Sequence, residues 1–215
     1  MEQTKIGKIT LDLWKKEFYD LIFSIERDGI DELLDYLEKD ADFYIAPSSS
    51  KYHGAYKGGL LEHSLNVYKN LKQLSNVYKS NLEDENIIII ALLHDLCKTN
   101  FYIQAVKNVK RKNDKGEFIT TEKGKNIWDE EIYYDFNDSL PLGHGEKSVI
   151  IAQKFISLTN LEIMCIRWHM MAYDDSTRGY GGDLALTHAL ELYPEIALVH
   201  SADLLSISTE LKHDI

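Results

Sequence analysis

The stretch Ile87-Ile88-Ile89-Ile90-Ala91-Leu92-Leu93-His94-Asp95-Leu96-Cys97-Lys98 sets seven apolar residues in a row and then two polar ones. Isoleucine favours strands by propensity. Here the apolar run continues through Ala91-Leu92-Leu93, and Glu83-Asp84-Glu85 before it suits the positive end of a helix dipole. The run therefore predicts a helix over 84–98, apolar on every side and so buried. It is too short to cross a bilayer. It also delivers a histidine and an aspartate into apolar surroundings, where an unpartnered carboxylate is costly.

Working outward, apolar residues recur at helical spacing over 11–27 and 31–39, with Gly29 between them. Residues 43–57 form a loop with Pro47 and Ser48-Ser49-Ser50. Gly58-Gly59 then opens a helix over 60–78 whose apolar residues cover much of its circumference, as in a central helix. On the other side, residues 101–136 change character. Asn113-Asp114-Lys115-Gly116, followed by Phe118-Ile119-Thr120-Thr121, signals a β-hairpin inserted between helices. It carries the basic cluster Lys107, Lys110, Arg111, Lys112 and Lys115, for which a solvated tip is the plainer reading. Helical spacing returns over 146–158 and 161–171, the latter opened by a capping box of Thr159 and Glu162. A polar loop over 174–182 precedes two last helices, 183–193 and 195–212, divided by Pro194. The fold class is mostly α with one small hairpin.

The chain has 215 residues and no linker-like tract, so a single domain over 1–215 is expected, with N-terminal helices and loop in 1–57 and a core in 58–213. Its 24 basic and 35 acidic residues leave a net charge of −11, which opposes sequence-independent binding to duplex nucleic acid. A small phosphorylated ligand fits if a metal ion reverses the local field. The two cysteines, Cys97 and Cys165, give no disulfide framework and suit a reducing compartment. No signal-peptide core or membrane span is read, so the cytoplasm is the expected location.

The chemistry lies in polar residues set among apolar ones. His63 lies in the buried-looking helix after Gly58-Gly59, and His169 sits between Trp168 and Met170-Met171. Asp203 interrupts the stripe Ile196, Val199, Leu204, Ile207 and Leu211, and His144 stands at a further helix start. One such histidine is more often a satisfied core residue. This many, spread over several helices, need a common partner, and imidazoles with carboxylates are metal ligands. Asp95 has two oxygens and can bridge two ions, whereas His94 binds one.

The ordered set resembles the HD-domain metal-dependent phosphohydrolases, over roughly 57–210. It consists of Gly58-Gly59-Leu60-Leu61-Glu62-His63, Leu92-Leu93-His94-Asp95-Leu96-Cys97-Lys98, Leu142-Gly143-His144-Gly145, Arg167-Trp168-His169 and His200-Ser201-Ala202-Asp203. The surroundings of His53, His63 and His144 look most like the branch with three-prime exoribonucleases, without that branch's nucleic-acid-binding module. The resemblance implies a helical bundle in which His63, His94, Asp95 and Asp203 hold a metal ion. It further implies that His144 and His169 hold a second ion, bridged by Asp95. The alternative is a one-metal enzyme in which those two histidines bind phosphate or move protons. Lys98 stands where the family often places a lysine beside the substrate phosphate; an ordinary surface lysine is the alternative. Cys97 replaces the glycine usual there.

The implied reaction is hydrolysis of a phosphoester or phosphoanhydride, with Asp95 positioning a metal-bound hydroxide and Lys98 neutralising phosphoryl charge. The imidazole-rich set suits one or two ions of manganese, iron, nickel, cobalt or zinc better than magnesium. The expected substrate is a nucleotide, with a short single-stranded nucleic-acid end next. His53 is placed at the pocket mouth and His200 behind the ligands as an orienting partner. Arg167 and Arg178 are candidate phosphate clamps, or else surface ion pairs, and Tyr173 is a candidate for stacking on a base. His188 and His213 are read as structural or exposed. A di-iron oxygenase of the same fold and a non-catalytic nucleotide-binding module are the competing readings.

Overall fold

The computed structural model describes residues 8–179 and 181–210. His213 and the end of the last expected helix lie outside them. Among the described residues there are eight helices: α1 (Lys8–Ile22), α2 (Ile30–Lys39), α3 (Gly59–Tyr78), α4 (Asp84–Leu93), α5 (His144–Ala152), α6 (Asn160–Trp168), α7 (Gly182–Leu192) and α8 (Glu195–Glu210). One antiparallel ribbon, β1 (Tyr102–Lys110) with β2 (Trp128–Phe136), stands between α4 and α5. The class is therefore mostly α with a small hairpin, as expected. No helix among the described residues is long and apolar enough to cross a membrane.

α4 shows why its sequence lacks periodicity. All seven residues from Ile87 to Leu93 are buried. Ile88, Ile89, Leu92 and Leu93 face a core shared with Phe18, Leu33, Phe43, Leu60 and Leu65 from α1, α2, α3 and the loop before α3. Ile87, Ile90 and Ala91 face a second core with Val67, Leu71, Ile166, Val199 and Ala202 from α3, α6 and α8. A helix wedged between two cores has no side to leave polar. α3 packs on both α4 and α8, so the ends of these helices open on a common space.

Several boundaries differ from the sequence expectation. The helix expected over 84–98 stops at Leu93; His94 caps it, and Leu96–Lys98 forms a separate 3₁₀ turn. The first helix ends at Ile22 rather than 27, because Arg27 swings across to Glu162. The helix expected to reach 158 stops at Ala152, and Phe155 and Ile156 fold back onto the first core. The helix expected to reach 171 stops at Trp168 with His169 as its cap. The 174–182 loop contains a 3₁₀ turn over Asp175–Arg178. In the hairpin the bend at Asn113 to Gly116 is present, but Phe118 and Thr120 make only isolated bridges, and a second bend follows at Thr121. The true partner of β1 is the acidic and aromatic segment Trp128–Phe136, which follows this second bend rather than the first.

The N-terminus of α6 ties the bundle together. Thr159 and Glu162 form the expected capping box. Glu162 is fully buried and also accepts from both terminal nitrogens of Arg27, at 2.9 and 3.1 Å, and from Asn86 of α4 at 3.1 Å. Removing one partner of a buried, hydrogen-bonded ion pair typically costs about 3–5 kcal/mol. Glu162→Ala is expected to lower the thermal midpoint by about 10 °C, at roughly 2–4 °C per kcal/mol for this chain length. Glu162→Gln, which keeps most of the acceptors, should cost less; equal midpoints for wild type and Glu162→Ala in a thermal melt would remove this anchor.

Candidate metal centre

α4 and α6 end in the same way. His94 and His169 are their C-caps, each with helical backbone angles. In each, ring Nδ1–H donates to the carbonyl three residues back: Ala91 at 2.8 Å and Ile166 at 2.7 Å. Carbonyls in the last turn of a helix lack intrahelical donors, so the ring supplies one. The same bond fixes the tautomer and leaves Nε2 as a bare lone pair aimed away from the helix. His169 Nε2 is buried and has no hydrogen-bond partner among the described residues. A buried imidazole lone pair without a proton donor is suited to a cation.

Both nitrogens point to Asp95, the residue after the α4 cap, whose two oxygens face different partners. Oδ2 lies 3.3 Å from His63 Nε2, 3.4 Å from His94 Nε2 and 2.7 Å from Lys98 Nζ. Oδ1 lies 2.7 Å from His144 Nε2 and 3.7 Å from His169 Nε2. Asp203, from α8, approaches the first group at 3.3 Å from His63 Nε2. His63 and His94 are 3.2 Å apart between their Nε2 atoms. Ligand atoms of His63, His94 and Asp203 form one compact group, and those of His94, Asp95 and His169 another. The donor set is all imidazole and carboxylate, and it fits divalent transition ions.

Two glycines permit this convergence. A Cβ on Gly59 would sit 2.0 Å from the Gly54 carbonyl oxygen, so only glycine lets the His53 loop close over the start of α3. The His53 ring thereby lies 5.7 Å from the His63 ring, tilted by 40°. A Cβ on Gly145 would sit 2.3 Å from the Arg167 carbonyl oxygen; without it α5 approaches α6 closely enough to bring His144 beside His169.

Charge within the cluster is strongly coupled. Burial alone would lower the His63 pKa, but Asp203, Asp95 and Glu210 raise it well above the ordinary value. His144 is pushed up to about 10: burial opposes, Cys97 and Asp95 prevail. His169, buried and beside His94, is pushed down to about 3 by burial first and by that neighbour second. Burial would raise the Asp95 and Asp203 carboxyls, yet Lys98 and His94 hold the first low and His63 the second. Lys98 loses water by burial but is kept firmly cationic by Asp95.

The other sequence-predicted residues separate. Lys98 lines a cleft of roughly 600 Å³, together with Phe101, His144, Lys147 and Tyr173. Tyr173 is exposed and stacks on His200, whose Nδ1–H donates to the His169 carbonyl at 2.7 Å. His200 thus holds the backbone of His169 rather than a ligand ring. Arg167 is spent on Glu146, Asp174 and Ser176, each at 2.8 Å, and stacks on Trp168. Arg178 is exposed, pairs with Asp175 and does not line the cleft. Both arginines thus take the ion-pair alternative. His188 is exposed. Cys97 occupies the 3₁₀ turn without a positive φ, so glycine is not required there, and its sulfur lies 3.4 Å from His144 Nδ1.

Sequence reasoning missed Glu210 and Ser206. Glu210 Oε1 lies 3.1 Å and Ser206 Oγ 3.0 Å from His63 Nδ1, so they orient that ring from behind. Their signal was present in the chain: 203, 206 and 210 recur at helical spacing on one face of α8.

The HD domain family model matches residues 60–164 of this chain, a little under half of it. This supports a place in the HD superfamily. The match includes His63, His94, Asp95, Lys98 and His144, and stops before His169 and Asp203. Over 63 residues the chain is 43% identical to the dihydroneopterin 2',3'-cyclic phosphate phosphodiesterase of Methanocaldococcus jannaschii, covering 27% of this chain and 25% of that protein. The chain thus aligns with about a quarter of that curated relative's length. No solved structure matches the chain significantly.

Two outcomes follow for the ion-free protein. His63 and His144 have raised pKa values, so both carry protons at neutral pH. Their stabilising pairs are intact below about pH 6.5, the unfolded value, and are lost as pH rises through the folded values. A cation must displace those protons. Its uptake should therefore release protons, and its apparent affinity should rise from pH 6 to 8, measured by calorimetry in buffers of differing ionisation enthalpy. Metal analysis of purified variants checks the ligand set: Asp95→Ala should lose nearly all bound metal and His144→Ala about half, in keeping with two ions.

Proposed function

We propose that this chain is a metal-dependent phosphohydrolase that cleaves a phosphoester of a small phosphorylated substrate, a nucleotide or a nucleic-acid end. In this reading His63, His94, Asp95 and Asp203 hold one divalent ion, and His144, His169 and the second oxygen of Asp95 hold another. The observation that carries it is the division of Asp95, one oxygen toward His63 and His94, the other toward His144 and His169. The HD domain match and the phosphodiesterase similarity support the reaction class.

Bound divalent ions supply a hydroxide at neutral pH and neutralise phosphoryl oxygens. The chain's own residues do the rest. The Nδ1 bonds of His94 and His169 keep their lone pairs directed inward with no rearrangement on loading. Glu210 and Ser206 do the same for His63. Lys98 lies where the ligand cluster meets the cleft, and its ammonium is placed to receive a phosphoryl oxygen. The cleft is of the size usual for small ligands. Phe101 and Tyr173 offer it aromatic faces, while its rim carboxylates Asp138, Glu146, Asp174 and Asp175 are each held in an ion pair, with Lys147, Arg167 and Arg178.

The test is a panel of nucleotides, cyclic phosphodiesters and single-stranded oligonucleotides, run with protein loaded in turn with manganese, iron, cobalt, nickel or zinc. Cleavage of a phosphoester with at least one ion is expected. Lys98→Ala should lower kcat by about 100-fold or more with metal content unchanged, the size typical of losing a transition-state donor. Absence of phosphoester cleavage with every ion would overturn the reading.

A further inference from the structure

The ribbon β1–β2 supplies none of the candidate metal ligands, and its far end differs in charge from the rest of the chain. The chain carries a net charge of −11, yet residues 107–125 at the far end of the ribbon hold seven basic and three acidic residues. Arg111 and Lys107 are paired across the ribbon with Asp129 and Glu131. Lys110, Lys112, Lys115, Lys123 and Lys125 form no ion pair among the described residues.

Aromatic rings lie directly among these lysines. Lys110 Nζ is 5.5 Å from the Phe118 ring centre and 5.8 Å from that of Trp128; Lys112 Nζ is 5.2 Å from Phe118. Phe118 and Trp128 are 58% and 53% exposed. The pleat puts Trp128, Ile132 and Phe136 on one face of β2, with Val106 directly opposite Ile132, and all four are exposed. Phe136 stacks on Phe101 at 5.7 Å and 8°, and Phe101 lines the cleft with Lys98 and His144. Apolar side chains, interrupted by Glu130, thus extend about 27 Å along this face of the ribbon, at roughly 3.4 Å per residue, from the basic tip toward the candidate metal centre.

We propose that the basic and aromatic tip of the β1–β2 ribbon binds a single-stranded polynucleotide, whose bases stack on Phe118 and Trp128 and whose phosphates meet Lys110 and Lys112. Exposed rings provide stacking for any unpaired base, and unpaired lysines provide the matching charge. A duplex hides its base faces and meets the acidic remainder of the chain, so it gains only the charge contacts. Binding itself does not rest on the phosphohydrolase reading, because it needs no metal.

The test uses the full chain with metal withheld by chelator and a fluorescein-labelled 12-nucleotide oligo(dT) or oligo(A) RNA, followed by anisotropy between 25 and 200 mM salt. Saturable binding that weakens with salt is expected. Lys110→Glu with Lys112→Glu should lessen the slope of log K against log salt by about 1.4, since each phosphate that is no longer neutralised removes about 0.7. Trp128→Ala and Phe118→Ala should each weaken binding roughly tenfold or more, as removal of one stacked base does. With metal restored, hydrolysis of bis-p-nitrophenyl phosphate should be unchanged in all these variants, and their circular dichroism should match wild type. No binding at 25 mM salt, equal binding by the variants, or tighter binding of a 12-base-pair duplex would overturn the proposal. So would concentration-dependent self-association that the same substitutions abolish, which would give the tip to a second copy of this chain. Failure to hydrolyse any substrate while the oligonucleotide still binds would count against the phosphohydrolase reading alone.

Discussion

The carboxylate of Asp95 is 2% exposed and lies within 4 Å of four imidazoles and one ammonium. A charge at that depth is sustained only by partners that are themselves fixed. The partners come from α3, the end of α4, the turn after it, the start of α5 and the end of α6. The bundle must therefore bring five chain segments to one point with the precision of a hydrogen bond. That requirement accounts for the continuous apolar face of α4, for the glycine at the α5–α6 contact and for the early stop of both capped helices.

The stop is as important as the helix. Had α4 continued through Lys98, His94 and Asp95 would be rotated about 100° apart, at 3.6 residues per turn, and only one could face the cluster. Ending the helix at Leu93 frees Asp95 from helical geometry and lets its two oxygens turn to opposite sides. The 3₁₀ turn that follows returns Lys98 to the same carboxylate at 2.7 Å. α6 repeats the device with His169, whose carbonyl is then held by His200. Paired helix ends, each closed by its own histidine ring, orient two ligands without a supporting carboxylate. His63, in the middle of a helix turn, has no such carbonyl in reach and relies on Glu210 and Ser206 instead.

These arrangements were legible to different degrees. His63, His94, Asp95, His169 and Asp203 stood out because a polar residue in an apolar helix contradicts its surroundings, and the sequence alone displays that contradiction. The helix ends did not, since periodicity continues past Leu93 and Trp168 and the bond that closes each helix comes from the ring that interrupts it. Arg167 looked like a phosphate clamp because Glu146 and Asp174 reach it only in the folded chain. β2 was missed because Trp128–Phe136 mixes acidic and aromatic residues without a two-residue period, on a ribbon in which only Tyr134 of β2 is buried, so no core imposes that pattern on it. Local turn chemistry named the bend at 113–116 but gave no means of telling which later segment returns along β1.

Rigidity is distributed accordingly. The metal-facing side of the centre is built from helix ends anchored in two cores, and its ligand atoms cannot drift apart without opening those cores. The side facing the cleft is built from the 3₁₀ turns at Leu96–Lys98, Met171–Tyr173 and Asp175–Arg178 and from the base of the ribbon. Short 3₁₀ turns carry weaker hydrogen bonds than an α-helix and bury less. Tyr173, Asp175 and Ser176 can therefore adjust to a ligand while Asp95 and its histidines stay in place. A site that must hold ions at fixed distances and still admit differently shaped phosphoesters needs this separation, and here it follows from where the helices end.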